Sequence, residues 1–227
     1  MSIMPLPELP PQSELPSSSA LPSQPEGFRL SALEAYSGEP GALPGVSFWP
    51  RVWARVIDLI VHYAITFCSG IFFGLLVGIA AGLQHRPASL AHRHPSGVAL
   101  FIMGLLGSIV FEAICEGVHG STPGKRLLGM TAVQEDGSPC RLGPAFIRSF
   151  AYLIDGLFFG LIGYFNMQKT PQQQRHGDEW AHTIVCRRSV VAPQNLRGGG
   201  RFVLAFCLAV MVDSALVITG FLSWVVA

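Results

Sequence analysis

Six polar side chains recur at helical spacing within one apolar stretch of the chain, and four of them can carry a charge. Steps of four, three, four, four and three residues separate Arg51, Arg55, Asp58, His62, Thr66 and Ser69. At ~100° per residue, these positions share roughly a quarter to a third of the circumference of a helix. Such a stripe of acids and bases can bind a proton or a cation, or it can form ion pairs that fix a neighbouring helix.

Two further apolar stretches carry a polar stripe at the same spacing. One holds Ser108, Glu112, Glu116 and His119, and the other holds Arg148, Tyr152, Asp155 and Asn166. The acids of the second stretch complement Arg51 and Arg55, and a histidine can relay protons near neutral pH. We therefore predict a candidate ion or proton path through Asp58, His62, Glu112 and Asp155. The candidate ion-pair partners are Arg55, Glu116 and Arg148.

Residues for catalysis or for holding a cofactor do not occur in a usable arrangement. No nucleophile–base pair, metal-ligand set or cofactor loop can be assembled from the sequence. The segment GSTPGKR has His119 and Arg126 where a phosphate-binding loop requires a glycine and a hydroxyl residue. We predict that the protein is not an enzyme and that it binds neither a cofactor nor a metal.

The overall composition is typical of a membrane protein. Half of the residues are hydrophobic and 13% are charged, about half the charged fraction of a soluble domain, and the mean hydropathy is +0.44. A net charge of +1 without a basic tract argues against a nucleic-acid partner. The predicted surroundings are therefore the lipid bilayer.

The polar stripes must be positioned by helices that cross this bilayer. Four apolar runs, 47–83, 97–116, 147–167 and 202–227, are each long enough to cross ~30 Å of hydrocarbon at ~1.5 Å per residue. They predict an all-α fold, a polytopic transmembrane helical bundle. Short strands are predicted at 128–133 and 183–186, beside turn-forming residues.

Composition also divides the chain into segments. Residues 1–46 hold nine of the seventeen prolines and predict a disordered Pro/Ser-rich tail. Residues 47–190 form the main transmembrane domain, 191–201 a linker, and 202–227 an additional C-terminal transmembrane helix.

Positive residues near helix ends predict a cytoplasmic N-terminus. The third run creates a conflict, because a straight crossing would place six later basic residues outside. The run can instead be a re-entrant or broken helix that bends at Gly156, Gly160 or Gly163. Its hydrophobic length favours a span, and the charge count favours re-entry.

Three blocks of sequence resemble the RDD family of integral membrane proteins. They are FWPRVWARVID (48–58), EGVHGSTPGKRLLGMTAVQEDG (116–137) and RHGDEWAHTIV (175–185), and an arginine, Arg148, enters the next apolar run. Arg51, Asp58 and Asp178 stand where that family has its arginine and two aspartates. Ser121 replaces the usual glutamine, and the tail and the fourth helix lie outside the similar region, so the first three helices are the RDD-type ones.

The resemblance implies a multi-pass protein of a bacterial-type cell membrane, the inner membrane, with a suggested role in transport that includes sodium/proton exchange. The alternative is a non-transporting scaffold or assembly partner, in which the polar stripes only hold helices together. A chain this small would need a homo-oligomer for transport, or other membrane proteins as partners. Arg51 is expected to pair with Asp178 if the third run is re-entrant, and with Glu116 or Asp58 if it spans.

Overall fold

The computed structural model describes residues 43–83 and 97–226, and residues 1–42 of the predicted tail lie outside that range. The elements follow in the order α1 (Phe48–Leu83), α2 (Gly97–His119), α3 (Pro123–Leu127), β1 (Met130–Gln134), α4 (Leu142–Asp155), α5 (Leu157–Met167), α6 (His176–Trp180), β2 (Thr183–Arg187) and α7 (Gly199–Val226). This order confirms the predicted helical bundle, with an extra C-terminal helix.

Three helices of the described chain, α1, α2 and α7, are long and apolar enough to cross a membrane. Helix α1 has 36 residues and is therefore ~54 Å long, well beyond the hydrocarbon thickness. Large apolar side chains of its second half, such as Phe67, Phe72 and Ile79, are exposed on the protein surface. Exposed apolar groups of this size belong against lipid or another membrane helix, so the protein is membrane-embedded.

The third apolar run is not one straight span. Helices α4 and α5 meet at Gly156, and the two segments are bent by 111° relative to each other. The strand before them pairs with the strand after them, so the chain must return to the face from which it came. The third run is therefore not a straight crossing, and the alternative of a re-entrant or broken helix that bends at Gly156 describes the structure.

The two predicted strands form an antiparallel pair outside the apolar helices. Met130 pairs with Arg187 and Gln134 with Thr183 at the two ends of the ladder. The N–H of Val46 donates to the carbonyl of Val185 at 2.8 Å, which joins the segment before α1 to β2. We call this layer, residues 43–47, 117–141 and 168–198, the polar face.

The polar face has two small apolar cores of its own. One surrounds Met130 and Val185, and the other surrounds Val133 and Ile184. Leu43 and Val46 pack into these cores, so residues 43–46 of the predicted tail are part of the fold. At the other boundary, α7 begins at Gly199, within the segment predicted as a linker.

Helix α7 packs against α2 and α1 through apolar side chains. Phe111 and Cys115 of α2 and Ala209 of α7 are fully buried against each other. Gly107 of α2 has no room for a side chain, because a Cβ there would lie 2.5 Å from Oδ1 of Asp213. Because of this close approach, the carboxyl group of Asp213 on α7 lies directly against α2 at Gly107.

Candidate functional site: the buried charges

Arg51, at the start of α1, and Asp178, in α6, form a buried ion pair. Nη1 of Arg51 donates to Oδ2 of Asp178 at 2.5 Å, and both side chains are less than 5% exposed. The remaining N–H groups of Arg51 donate to the carbonyls of Val46 and Gln173, both at 2.9 Å. Arg51 thus joins the segment before α1 to the segment after α5, as the re-entrant alternative predicted.

Asp178 lies among three guanidinium groups. Besides Arg51, its Oδ1 lies 3.3 Å from Nη2 of Arg148 and 3.5 Å from Nη2 of Arg175. Burial alone would raise the pKa of Asp178, but the charges of Arg148, Arg175 and Arg51 hold that pKa well below its usual range. Asp178 therefore stays ionised at every ordinary pH.

Arg148 connects this cluster to a second ion pair. Its Nε lies 3.3 Å from Oε2 of Glu116, at the end of α2, and Glu116 also pairs with Nζ of Lys125. Burial lowers the pKa of Lys125, but the charge of Glu116 outweighs it and leaves the pKa raised. We call these six residues the Asp178 network: Arg51, Glu116, Lys125, Arg148, Arg175 and Asp178.

Asp58 holds the TPGK turn through both of its carboxylate oxygens. Its Oδ2 accepts the hydroxyl of Thr122 at 2.5 Å, and its Oδ1 accepts the N–H of Gly124 at 2.7 Å. Thr122 caps α3, and a Cβ on Gly124 would lie 2.2 Å from the carbonyl oxygen of Ala54. Only glycine lets this turn approach α1 closely enough for Asp58 to accept both donors.

Arg55 and Glu112, which lie on the two complementary stripes, form an ion pair between α1 and α2. Arg55 also stacks on the ring of Tyr152, with its Cζ 4.5 Å from the ring centroid. The same ring contacts Arg175, whose Cζ lies 4.1 Å from the ring centroid. Tyr152 therefore contacts two cations, which the π system attracts.

Asp155, at the last position of α4, contacts the first turn of α6. Its Oδ1 lies 3.0 Å from Nδ1 of His176, and its Oδ2 accepts the N–H of Gly177 at 3.3 Å. Asn166, predicted on the same stripe, belongs to α5 because the helix breaks, and it donates to Glu179 at 2.9 Å. Asp155 thus connects the broken helix to the segment that carries Asp178.

The sequence matches the RDD family over residues 46–182, about three fifths of the chain. This match contains Arg51, Asp58 and Asp178. The chain belongs to the RDD family. Comparisons with curated proteins and with solved structures gave no significant match.

The three residues that stand where the RDD family has its arginine and two aspartates have two separate roles in this chain. Arg51 and Asp178 pair with each other, whereas Asp58 lies on the next part of α1 and holds the TPGK turn. All three connect α1 to the polar face. These three residues therefore connect a membrane helix to the segments outside it.

His62 contacts a second group of residues, on α2 and α7. Nε2 of His62 lies 3.2 Å from the carbonyl of Gly104, and Nδ1 lies 3.6 Å from Oδ1 of Asp213. Oδ2 of Asp213 accepts the hydroxyl of Thr66 at 3.1 Å. We call His62, Thr66 and Asp213 the membrane-depth site.

Asp213 lies on α7, beyond the RDD-matched residues, and sequence reasoning left it out of the candidate residues. The signal was available, since Asp213 is the only charged residue in the run 202–227. An isolated acid in a spanning segment needs a partner. Its partner residue was not evident, because periodicity does not say which helix faces which.

Two cavities adjoin these sites. One, of about 270 Å³, lies between α1 and the broken helix, and Arg51, Arg55, Tyr152 and Arg175 contribute to its wall. The other, of about 340 Å³, lies beside the membrane-depth site, where Tyr63, Thr66, Met103 and Asp213 contribute to its wall. No group of three or more potential metal-ligating side chains occurs within the residues that the structure describes.

Proposed function

We propose that this RDD-family membrane protein is a non-transporting scaffold or assembly partner. The observation that carries the proposal is that each carboxylate of the predicted path has a partner in the chain itself. Thr122 and Gly124 donate to Asp58, Arg55 pairs with Glu112, and His176 and Gly177 contact Asp155. These acids connect elements of the fold.

Energetics support the same proposal. A transported cation would have to compete with donors that the protein already provides, and removing one partner of a buried pair costs about 3–5 kcal/mol. Asp58, Glu112 and Asp155 are each 2% exposed. A carboxylate that binds and releases an ion in every transport cycle must be accessible to that ion, and these three carboxylates are enclosed.

The proposal includes the cell membrane as location, with the N-terminus in the cytoplasm. The polar face carries Lys125 and the basic residues that follow α5, and Arg51 contacts it from the start of α1; such residues are enriched on the cytoplasmic side. It also includes the absence of a catalytic role and of a cofactor, which agrees with side chains engaged in ion pairs and caps.

A homo-oligomer or another membrane protein would cover the exposed apolar side of α1. Cys68 on this helix is exposed and free, so oxidative cross-linking in native membranes tests the first possibility. A dimer that forms in wild type and is lost in Cys68→Ser would place two copies of α1 together. Retention of the dimer in Cys207→Ser would assign the cross-link to α1 and not to α7.

Proteoliposomes with a proton-sensitive dye test the proposal against transport. We expect no flux above that of protein-free vesicles with Na⁺, K⁺ or Li⁺ gradients, and no change in Asp155→Asn. Asp136→Asn, in an exposed turn, is the matched control. Cation-dependent proton flux in wild type and the control that disappears in folded Asp155→Asn would overturn the proposal.

The second candidate function is cation or proton exchange, and the membrane-depth site favours it. His62 and Asp213 are both buried, their closest atoms are 3.6 Å apart, and a cavity lies next to Asp213. Intramembrane acids often mark ion pathways. Flux that is lost in Asp213→Asn but kept in Asp155→Asn would support this function through α7.

A further inference from the structure

The cavity between α1 and the broken helix α4–α5 combines three arginines with an apolar wall. Arg51, Arg55 and Arg175 lie on one part of its lining. The rest is mainly apolar and includes Val52, Val56, Leu105, Ile109, Leu153 and Met167. Such a lining matches a ligand that has an anionic group at one end and hydrocarbon at the other.

The cationic part of the lining has donor capacity that the fold does not use. Nε of Arg175 is buried and makes no hydrogen bond to any of the described residues, and the side chain is 7% exposed. A buried donor without an acceptor costs free energy, so an acceptor from a ligand would stabilise it. The stack on Tyr152 holds the guanidinium in place at the cavity.

The side chains that line this cavity include more bases than acids. Arg51 is neutralised by Asp178, and Arg55 by Glu112, but Arg175 only shares Asp178 with Arg51 and Arg148. Asp155 is the single acid in the lining, and it is engaged by His176 and Gly177. An added anion would therefore meet more basic than acidic side chains in the lining itself, three arginines and one aspartate.

The cavity also opens where a lipid can enter. Val56, in its lining, is 39% exposed, and Trp49 and Trp53 on the same turns of α1 are 67% and 60% exposed. Tryptophan is enriched at the level of lipid head groups. The arginines thus lie near the depth of phosphate groups, with the apolar lining towards the acyl chains.

We propose that this cavity binds the phosphate group of an anionic lipid. Arg175 and Arg55 donate to the phosphate oxygens, in the manner that guanidinium groups recognise phosphate. The apolar lining holds the first part of an acyl chain. The site is independent of the scaffold function proposed above. Its occupancy would depend on the amount of anionic lipid in the surrounding leaflet.

Native mass spectrometry of the full chain tests this site, using mixed micelles with equal amounts of phosphatidylglycerol and phosphatidylcholine. We expect one phosphatidylglycerol to be retained with a Kd about ten-fold lower than that of phosphatidylcholine, since one charge-assisted hydrogen bond is worth roughly that factor. In Arg175→Gln the preference should disappear. In Arg187→Gln, an exposed arginine outside the cavity, it should remain.

A second variant covers the case in which Arg175→Gln does not fold. Val56→Trp places a large side chain at the open edge of the cavity and leaves every charge unchanged, so it should weaken phosphatidylglycerol retention about ten-fold. Equal retention of both lipids by wild type, or unchanged retention in folded Arg175→Gln or in Val56→Trp, would overturn the proposal. Displacement of the lipid by millimolar inorganic phosphate would overturn it as well, because the site would then take a free anion.

Discussion

The Asp178 network and the membrane-depth site are both buried groups of acids and bases, but they differ in how many contacts hold each charge. Asp178 has three arginines around it, and Glu116 has a lysine and an arginine. Asp213 has one hydroxyl at 3.1 Å and one histidine at 3.6 Å. Residues from several helices hold the Asp178 network in place, whereas the carboxyl group of Asp213 has two polar contacts and lies beside a cavity.

This difference distinguishes the charges of the Asp178 network, which hold the fold together, from the carboxyl group of Asp213, which has few contacts. The Asp178 network joins α1, α2, α4 and α6, so its loss would disconnect the polar face from the membrane helices. The membrane-depth site connects α1 to α7 and, through Gly104, to α2, and these helices also pack through apolar contacts. Perturbing the two groups should therefore have effects of different size and kind.

The largest effect is expected for Asp178→Asn. The substitution leaves three guanidinium groups without their shared anion, and breaking a buried ion pair in this way costs about 3–5 kcal/mol. Thermal unfolding in detergent, followed by tryptophan fluorescence, should show loss of the folded protein or a large fall in Tm. A Tm equal to that of Asp136→Asn would show that the network does not hold the fold.

A charge reversal at this pair should not restore the fold. Arg51→Asp combined with Asp178→Arg would place an arginine beside Arg148 and Arg175, in place of the anion that they share. Like charges at such distances repel, so the double variant should be no more stable than Arg51→Asp alone. Recovery of folded protein in the unfolding assay would mean that Arg51 and Asp178 act as an isolated pair.

The next largest effect is expected for Gly124→Ala. An added Cβ would lie 2.2 Å from a backbone oxygen of α1, so α3 must move away and Asp58 loses a donor. Overpacking of this kind costs about 1–3 kcal/mol. The matched control is Gly143→Ala in α4, where a Cβ meets nothing within 4 Å. Equal unfolding temperatures for the two variants would contradict a tight contact at Asp58.

A smaller effect on stability is expected for Asp213→Asn. Asparagine keeps an oxygen that accepts the hydroxyl of Thr66, and only the contact with His62 changes, so the loss should be about 1 kcal/mol or less. The unfolding assay used for Asp178→Asn measures both variants side by side. A loss as large as that of Asp178→Asn would remove the distinction between the two groups.

The smallest effect is expected from a change of pH. The quantity measured is the contribution of Asp178 to stability, which is the free energy of unfolding of wild type minus that of Asp178→Asn. A carboxylate with a lowered pKa stabilises the fold fully above its unfolded pKa of about 3.9, and the contribution is lost as pH falls through the folded pKa. The difference should thus be constant from about pH 5 to pH 8. A decline within that range, in unfolding curves at several pH values, would mean that the arginines do not hold the pKa low.

Much of the architecture could be predicted from local patterns. The apolar runs predicted α1, α2 and α7, the turn residues predicted β1 and β2, and the complementary stripes predicted that acids of α2 lie against bases of α1, as Glu112 and Arg55 do. These features depend on period and composition, which a linear sequence states directly. The break between α4 and α5 stayed open, because the charge count favoured a bend at Gly156, Gly160 or Gly163 whereas the length of the run 147–167 favoured a span.

The sequence by itself determined that the chain is a helical membrane protein, and that its acids and bases lie on particular sides of its helices. Only the tertiary structure decided which of them meet. Arg51 and Asp178 are 127 residues apart, and His62 reaches an acid on a helix beyond the RDD-matched region. The spacing of residues defines a face of one helix, whereas a contact depends on how several helices pack and where one of them bends.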